Sequence, residues 1–261
     1  MKIRNLLIDL DGVLYVGDRP IPGAAETLAW LTRRNYTFRF ISNSTRRSRT
    51  AIALRLARMG LDIRPSAIFT PAAAAAAHIR NLGGSVVHLL ATGDVSFEFE
   101  EAGLVCRQEG ADFVVVGDAG DAFTYRDLTL AFRNVLRGVP LLALEKDRYW
   151  MGEDGLLLSA GPFVAAIEYA SGARAELMGK PSPDFFRMAL DSMNAIPEET
   201  AMAGDDILTD IGGAMECGMQ GILVRTGKFR DDSLRNAPRA PDAVIDSIAD
   251  LPSFLVGGSK P

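Results

Sequence analysis

The sequence predicts an α/β protein with parallel sheets, and three observations point there. Short apolar runs break off at small polar or acidic residues, as buried parallel strands do where they enter a loop. Between them lie segments whose apolar residues recur at helical spacing. The two kinds of segment alternate over most of 261 residues, enough for one large core or two modest ones.

The first strand is the plainest case. Leu6, Leu7 and Ile8 form an apolar run that stops at Asp9 and Asp11, with Gly12 next. Residues two apart on an extended backbone point the same way, so both carboxylates are expected to face one small volume at the strand's carboxyl end. Open α/β sheets place their ligands there. Two carboxylates about 4 Å apart repel by roughly 4 kcal/mol at an effective dielectric near 20, so the pair calls for a cation, a shared proton or strong hydrogen bonds. An Asx turn capping the strand, with Gly12 at positive φ, accounts for the same residues without chemistry.

A loop over residues 13–23, punctuated by Gly17, Pro20, Pro22 and Gly23, leads to a helix over 24–34 with Ala24, Leu28 and Leu31 on one face. The strand over 36–41 ends in Ser42-Asn43-Ser44-Thr45, groups that can cap the following helix or hold a phosphate. In that helix Ile52, Leu56 and Met59 share a face, and Gly60 ends it. After a strand over 68–70, Pro71 opens an alanine-rich helix over 72–82. A second alternating series follows, with strands over 86–90, 113–116 and 141–144 and helices over 95–102 and 126–136. The charged turn Glu145-Lys146-Asp147-Arg148, a glycine-punctuated segment and a helix over 162–170 come next.

Residues 176–178 lead into Gly179-Lys180-Pro181-Ser182-Pro183, where Ser182 is a natural N-cap for a helix carrying Phe186, Ala189, Leu190 and Met193. Lys180, just ahead of it, fits a solvated lysine as well as an anion ligand. A strand over 200–203 ends in Gly204-Asp205-Asp206, and the next helix carries Asp210, acids that the helix dipole alone would favour. Strands over 221–225 and 243–245 and a helix over 247–255 complete the pattern.

Composition narrows the function classes. With 48% apolar and 23% charged residues and a net charge of -5, the chain suits a globular protein with neither a nucleic-acid nor a membrane partner. A phosphorylated small molecule stays within reach, because a metal and a few donors can reverse the field inside a pocket. Cys106 and Cys217 are the two cysteines, without zinc-like or disulfide spacing, and no membrane-length apolar run or signal-peptide pattern occurs. A cytoplasmic protein is expected. Neither a GxGxxG nor a GxxxxGK[ST] loop appears, and His78 and His88 read as structural or surface residues.

Four strand ends or helix starts thus carry polar groups: Asp9 with Asp11, Ser42 with Asn43, Lys180, and Asp205 with Asp206 and Asp210. A doubly wound sheet gathers such positions along one edge. DLDGVLY, ISNST, GKPSPDFF and GDDILTDIGGA, in that order and spacing, resemble the four motifs of the haloacid dehalogenase-like (HAD) superfamily. The long insert between the second and third motifs resembles the NagD-like subclass IIA. EKDRYW, the GPF segment at 161–163 and the stretch 221–228 resemble its phospholysine/phosphohistidine inorganic pyrophosphate phosphatase branch.

The resemblance implies a Rossmann-like, parallel-sheet HAD core from residues 1–71 and 178–261, with a large α/β cap of the C2 type inserted at 72–177. It implies Asp9 as nucleophile, Asp11 as general acid and base, and Ser42, Asn43 and Lys180 as phosphoryl ligands. Magnesium would be held by Asp9, the backbone carbonyl of Asp11 and Asp205, supported by Asp206 or Asp210. The reaction implied is hydrolysis of a small phosphorylated metabolite through an aspartyl phosphate. A nucleotidase or sugar-phosphatase would share this core, and a non-catalytic phosphate binder would share the fold. A domain-sized insert is expected to move as a unit, with Asp147 and Arg148 as specificity contacts; a solvated hairpin tip is the alternative for that turn. Exposed apolar residues on the insert would serve a homo-oligomer. Ser42-Asn43-Ser44 replaces the Thr-Asn-Asn common in NagD-like proteins, and EKDRYW lacks their Asn-Pro-Asp pattern, which leaves the substrate open.

Overall fold

A computed structural model describes residues 3–152 and 155–257. The chain divides into two compact units, one of Met1–Ser42, Ile52–Phe69 and Lys180–Pro261, the other of Asn43–Ala51 and Thr70–Gly179.

The first unit is built on a six-stranded parallel sheet in the order Ala243–Ile245, Gln220–Val224, Thr200–Gly204, Asn5–Asp9, Thr37–Ile41, Ile68–Phe69. Asn5–Asp9 lies between the two longest-range neighbours, pairing Leu6 with Ala201 on one side and with Phe38 on the other. The strand order reverses beside it, so this is the switch point at which a parallel sheet opens a crevice at its carboxyl edge. Leu6 and Ile8 are fully buried in a cluster with Ala24, Leu31, Ile52 and Leu56 from the helices Ala24–Arg33 and Arg49–Arg58. Leu7, also fully buried, belongs to the opposite face by the strand's two-residue period. A strand apolar on both faces is the physical reason the run reads as continuous rather than alternating.

The second unit holds a five-stranded parallel sheet, Glu176–Leu177, Leu141–Ala143, Phe113–Val116, Val86–Leu90, Val105–Cys106. The helices Pro71–Asn81 and Ser96–Glu101 cover one face through Ala72, Ala75, Ile79 and Phe99, while Tyr125–Leu136 and Gly161–Ser171 cover the other through Ala131, Val135, Val164 and Ile167. Thr70 caps the first of these helices, accepting from the Ala73 N–H at 3.3 Å, and Pro71 occupies its first turn.

Several local expectations change. Within the segment expected as a loop, Tyr15–Val16 and Arg19–Pro20 form a short antiparallel pair. The glycine-punctuated segment after Arg148 contains a second hairpin, Tyr149–Gly152 with Gly155–Leu158, whose apolar side chains are largely exposed. Ser182 stands at the N-cap of Pro183–Asp191 but its side chain makes no capping bond. Ser42–Thr45 do not cap the helix that follows, because that helix begins at Arg49; the Ser48 hydroxyl accepts from the Ala51 N–H instead. Of the two readings open for His88, structural or surface, burial selects the structural one. Among the described residues no helix is long and apolar enough to cross a membrane.

Candidate active site

Asp9 ends the central strand, Asp205 follows the neighbouring strand Thr200–Gly204, and Asp210 lies one helical turn further on. All three are buried, and one carboxylate oxygen from each lies within 4.8 Å of the others. Lys180 reaches the same point: its Nζ donates to Asp9 Oδ1 at 2.7 Å and to Asp210 Oδ1 at 2.6 Å while only 5% of the residue is exposed. Residues separated by up to 201 positions in sequence therefore meet at the carboxyl edge of one sheet.

Backbone detail makes the convergence possible. After Asp206 the chain forms a π-helical turn, Ile207–Gly212, rather than a plain α-helix, with the Ile211 N–H donating to the Asp206 carbonyl. That turn presses Asp210 against the strand end, where a side chain on Gly204 would sit 2.4 Å from Asp210 Cβ. Asp205 is cradled by two glycines at positive φ. A Cβ on Gly12 (φ +83°) would lie 1.9 Å from Asp205 Oδ2, and one on Gly227 (φ +57°) 2.0 Å from it. The Lys228 N–H donates to the same oxygen at 2.6 Å, and the Thr226 hydroxyl donates to the Gly12 carbonyl, tying the two loops together.

The electrostatics follow from burial. Burial pushes Asp9 up to about 8; the neighbouring Lys180 opposes it, and the Asp210 and Asp205 carboxylates reinforce it. Asp205 is pushed up to about 6, again chiefly by burial, against the Lys228 hydrogen bond. Burial alone would lower Lys180, but the carboxylates of Asp210 and Asp9 reverse that and drive it well above the ordinary lysine range. The buried Lys180 ammonium beside three carboxylates leaves an excess of negative charge that a divalent cation would neutralise. The donors are all carboxylate oxygens, the ligands hard cations prefer, so the set fits magnesium.

The sequence-predicted residues are placed unequally. Asp11 is exposed, and its carboxylate is not in the cluster, because regular strand geometry stops at Asp9 and the two-residue period cannot carry past it. Asp206 spends its carboxylate on the N–H groups of Leu208 and Thr209, at 2.9 and 3.0 Å, so Asp210 is the member of that pair that joins the cluster. Ser42 is buried in the first unit, its N–H donating to the Phe69 carbonyl at 3.1 Å. Asn43, Asp147 and Arg148 belong to the second unit. There the buried Glu145 carboxylate organises the charged turn, accepting from the Asp147 N–H, the Ser159 hydroxyl and the Ala160 N–H. Gly12 stood out in the sequence as a turn residue; that Gly204 and Gly227 make room for acids had no local signal.

A parallel sheet with acids and a lysine gathered at its switch point defines a class of phosphoryl-handling α/β proteins, and sequence comparison narrows it. The haloacid dehalogenase-like hydrolase model matches residues 6–105, and a HAD-hydrolase-like model matches residues 177–251. The chain is 36% identical over 260 residues to human phospholysine phosphohistidine inorganic pyrophosphate phosphatase, covering 97% of this chain and 94% of that one. It is 40% identical over 241 residues to bovine haloacid dehalogenase-like hydrolase domain-containing protein 2, covering 90% of each. Among solved structures, a 4-nitrophenylphosphatase from Thermotoga maritima superposes with a TM-score of 0.90 at 29% identity over 97% of both chains. NagD from E. coli K-12 superposes with a TM-score of 0.87 at 31% identity, over 96% of this chain and 98% of that one. The chain belongs to the HAD-like hydrolase family, in its NagD-like subclass IIA.

Proposed function

We propose that this protein is a magnesium-dependent phosphatase that hydrolyses small phosphorylated metabolites through an aspartyl phosphate on Asp9. The observation that carries the reading is the buried arrangement of Lys180 between Asp9 and Asp210 with Asp205 beside them. A purely structural role would not need three buried carboxylates around one ammonium, since apolar residues of similar volume hold a core as well or better.

Asp9 attacks phosphorus with a carboxylate oxygen, and the bond from phosphorus to the leaving oxygen breaks. Asp11, exposed at the mouth of the strand, gives its proton to that leaving oxygen. In the second half-reaction Asp11 takes a proton from water as the water oxygen attacks the phosphoryl group, which returns Asp9 as a carboxylate and releases inorganic phosphate. Lys180 holds Asp9 in place and offsets part of the charge on the incoming anion. Ser42 and Asn43 donate to the equatorial oxygens. Asp9 and Asp205, with the Asp11 carbonyl and Asp210 in support, would hold the magnesium ion, which supplies the charge compensation two anions need to react.

Relatives named for phospholysine, phosphohistidine, inorganic pyrophosphate and 4-nitrophenyl phosphate put P–N and P–O–P bonds beside phosphate esters in the range to be tested. Selectivity among them we assign to Asp147 and Arg148. The deciding experiment is Asp9→Asn, assayed on a broad panel of phosphorylated metabolites with and without magnesium. The folded variant is expected to lose turnover and acid-stable phosphoenzyme together, and retained activity refutes the nucleophile.

A further inference from the structure

The segment that follows Ser42 groups with the second unit, and three carboxylates of that unit take hold of it. Asp118 receives Arg46, with Nη2 donating to Oδ1 at 3.2 Å and Nε 3.1 Å from Oδ2, while the Asp118 N–H donates to the Thr45 hydroxyl at 3.1 Å. Asp94 accepts from both the N–H and the hydroxyl of Ser48, at 2.9 and 2.7 Å, and its own N–H donates to the Arg46 carbonyl at 3.2 Å. Glu98, 3% exposed, accepts from the Arg49 N–H at 2.5 Å and from Arg49 Nε at 2.6 Å.

These are more than surface ion pairs, which contribute little. The N–H groups of Ser48 and Arg49 are main-chain atoms held by the Asp94 and Glu98 carboxylates, and the Asp94 N–H holds the Arg46 carbonyl, while Asp118 holds the side chains of Thr45 and Arg46. Gly93 confirms how close the two segments run. It has φ +77°, and a Cβ there would lie 1.9 Å from the Arg46 carbonyl oxygen. Ser48 completes the chain of contacts: its hydroxyl donates to Asp94 and accepts from the Ala51 N–H, joining the helix Arg49–Arg58 to the same acid.

We propose that Asp94, Glu98 and Asp118 are positioning residues for phosphoryl binding: by holding residues 45–49, the first two through main-chain N–H groups and Asp118 through side chains, they set where Asn43 presents its amide. The proposal rests on the phosphoryl-binding role given to Asn43 above. It makes phosphate affinity depend on residues that never touch the phosphate.

The test compares Asp94→Asn, Asp118→Asn and Glu98→Gln, each alone and combined with Asn43→Ala, in the full chain. The readouts are the inhibition constant of inorganic phosphate and kcat and KM for 4-nitrophenyl phosphate. The single variants should weaken phosphate and raise KM roughly tenfold with kcat within about threefold, and the doubles should be no weaker than Asn43→Ala alone, as expected for groups acting through one residue. Unchanged phosphate affinity in folded Asp94→Asn and Asp118→Asn, or effects that multiply with Asn43→Ala, overturns the proposal. Glu98→Gln risks misfolding, but Asp118→Asn, whose partner Arg46 has a side chain 42% exposed, keeps the question answerable. An Asn43→Ala protein with the parental phosphate affinity overturns it too, yet leaves the hydrolase reading, which Asp9→Asn tests, standing.

Discussion

Replacing Lys180 by methionine keeps a similar stem and removes the ammonium that the structure places 2.7 Å from Asp9 and 2.6 Å from Asp210. Both acids are buried, and Asp205 lies within 4.8 Å of them, so the variant must hold three carboxylates without the buried ammonium that pairs with two of them. Two such charges about 4 Å apart repel by roughly 4 kcal/mol at an effective dielectric near 20. Breaking a buried pair by deleting one partner costs about 3–5 kcal/mol, a large part of the 5–15 kcal/mol that typically holds a domain. Trp30 packs against the core of the first unit, and Trp150 lies in the second, so urea unfolding followed by fluorescence in a Trp150→Phe background reports the unit that matters. With an m-value of about 2 kcal/mol/M, the Lys180→Met midpoint should fall by about 1.5–2.5 M. Millimolar magnesium should recover more of that loss in the variant than it adds to the parent, because a cation that binds only the folded state stabilises it by mass action. Turnover should drop about 100- to 1,000-fold, the usual effect of losing a preorganised charge at a reacting group. A midpoint within about 0.5 M of the parent in metal-free buffer would show that Lys180 does not neutralise these acids, and the electrostatic account of the site would fail.

Asp206→Ala and Asp210→Asn separate two neighbours that the sequence leaves equivalent. The first should cost about 1 kcal/mol of stability through the lost cap, with turnover nearly intact, and the second should cut kcat about 100-fold and weaken magnesium binding by calorimetry. Equal damage from both would refute the division. His88 gives the second unit a pH dependence: Asn134 Nδ2 donates to the Gln108 carbonyl at 3.0 Å and to His88 Nδ1 at 3.1 Å, so the ring accepts there and stays neutral. Burial lowers its pKa below 6.5, and the Asp127 charge only partly opposes this. The unfolded chain therefore takes up a proton below pH 6.5 that the folded unit refuses, and stability present above that pH is lost as the pH falls, by at most about 1.4 kcal/mol per unit. Thermal melts of His88→Leu should show one proton less in that slope; identical slopes would remove His88 as the cause.

What was legible in the sequence is what local physics writes into neighbouring residues. The strand Asn5–Asp9 shows because an apolar run buried on both faces ends abruptly at acids, and the helix Pro71–Asn81 because Pro71 marks its start. The exposed strand pair Tyr149–Gly152 and Gly155–Leu158 is not marked in the sequence, because its apolar residues are exposed on both faces and no alternation separates inside from outside. Asp11 lies past the last residue of the strand, so the two-residue period does not fix where its carboxylate points, and it is not in the buried group of Asp9, Asp205 and Asp210. The choice between Asp206 and Asp210 needed the π-helical turn, which no spacing announces. The glycines around Asp205 and the acids around residues 45–49 are long-range choices. Gly12 and Gly227 are 215 positions apart, and in a chain where 23% of residues are charged no local pattern distinguishes Asp94, Glu98 and Asp118 from solvated acids. The clustered acids Asp9 and Asp205 can therefore be found from strand ends alone, whereas the residues that hold them in place become visible only when the fold brings separate segments together.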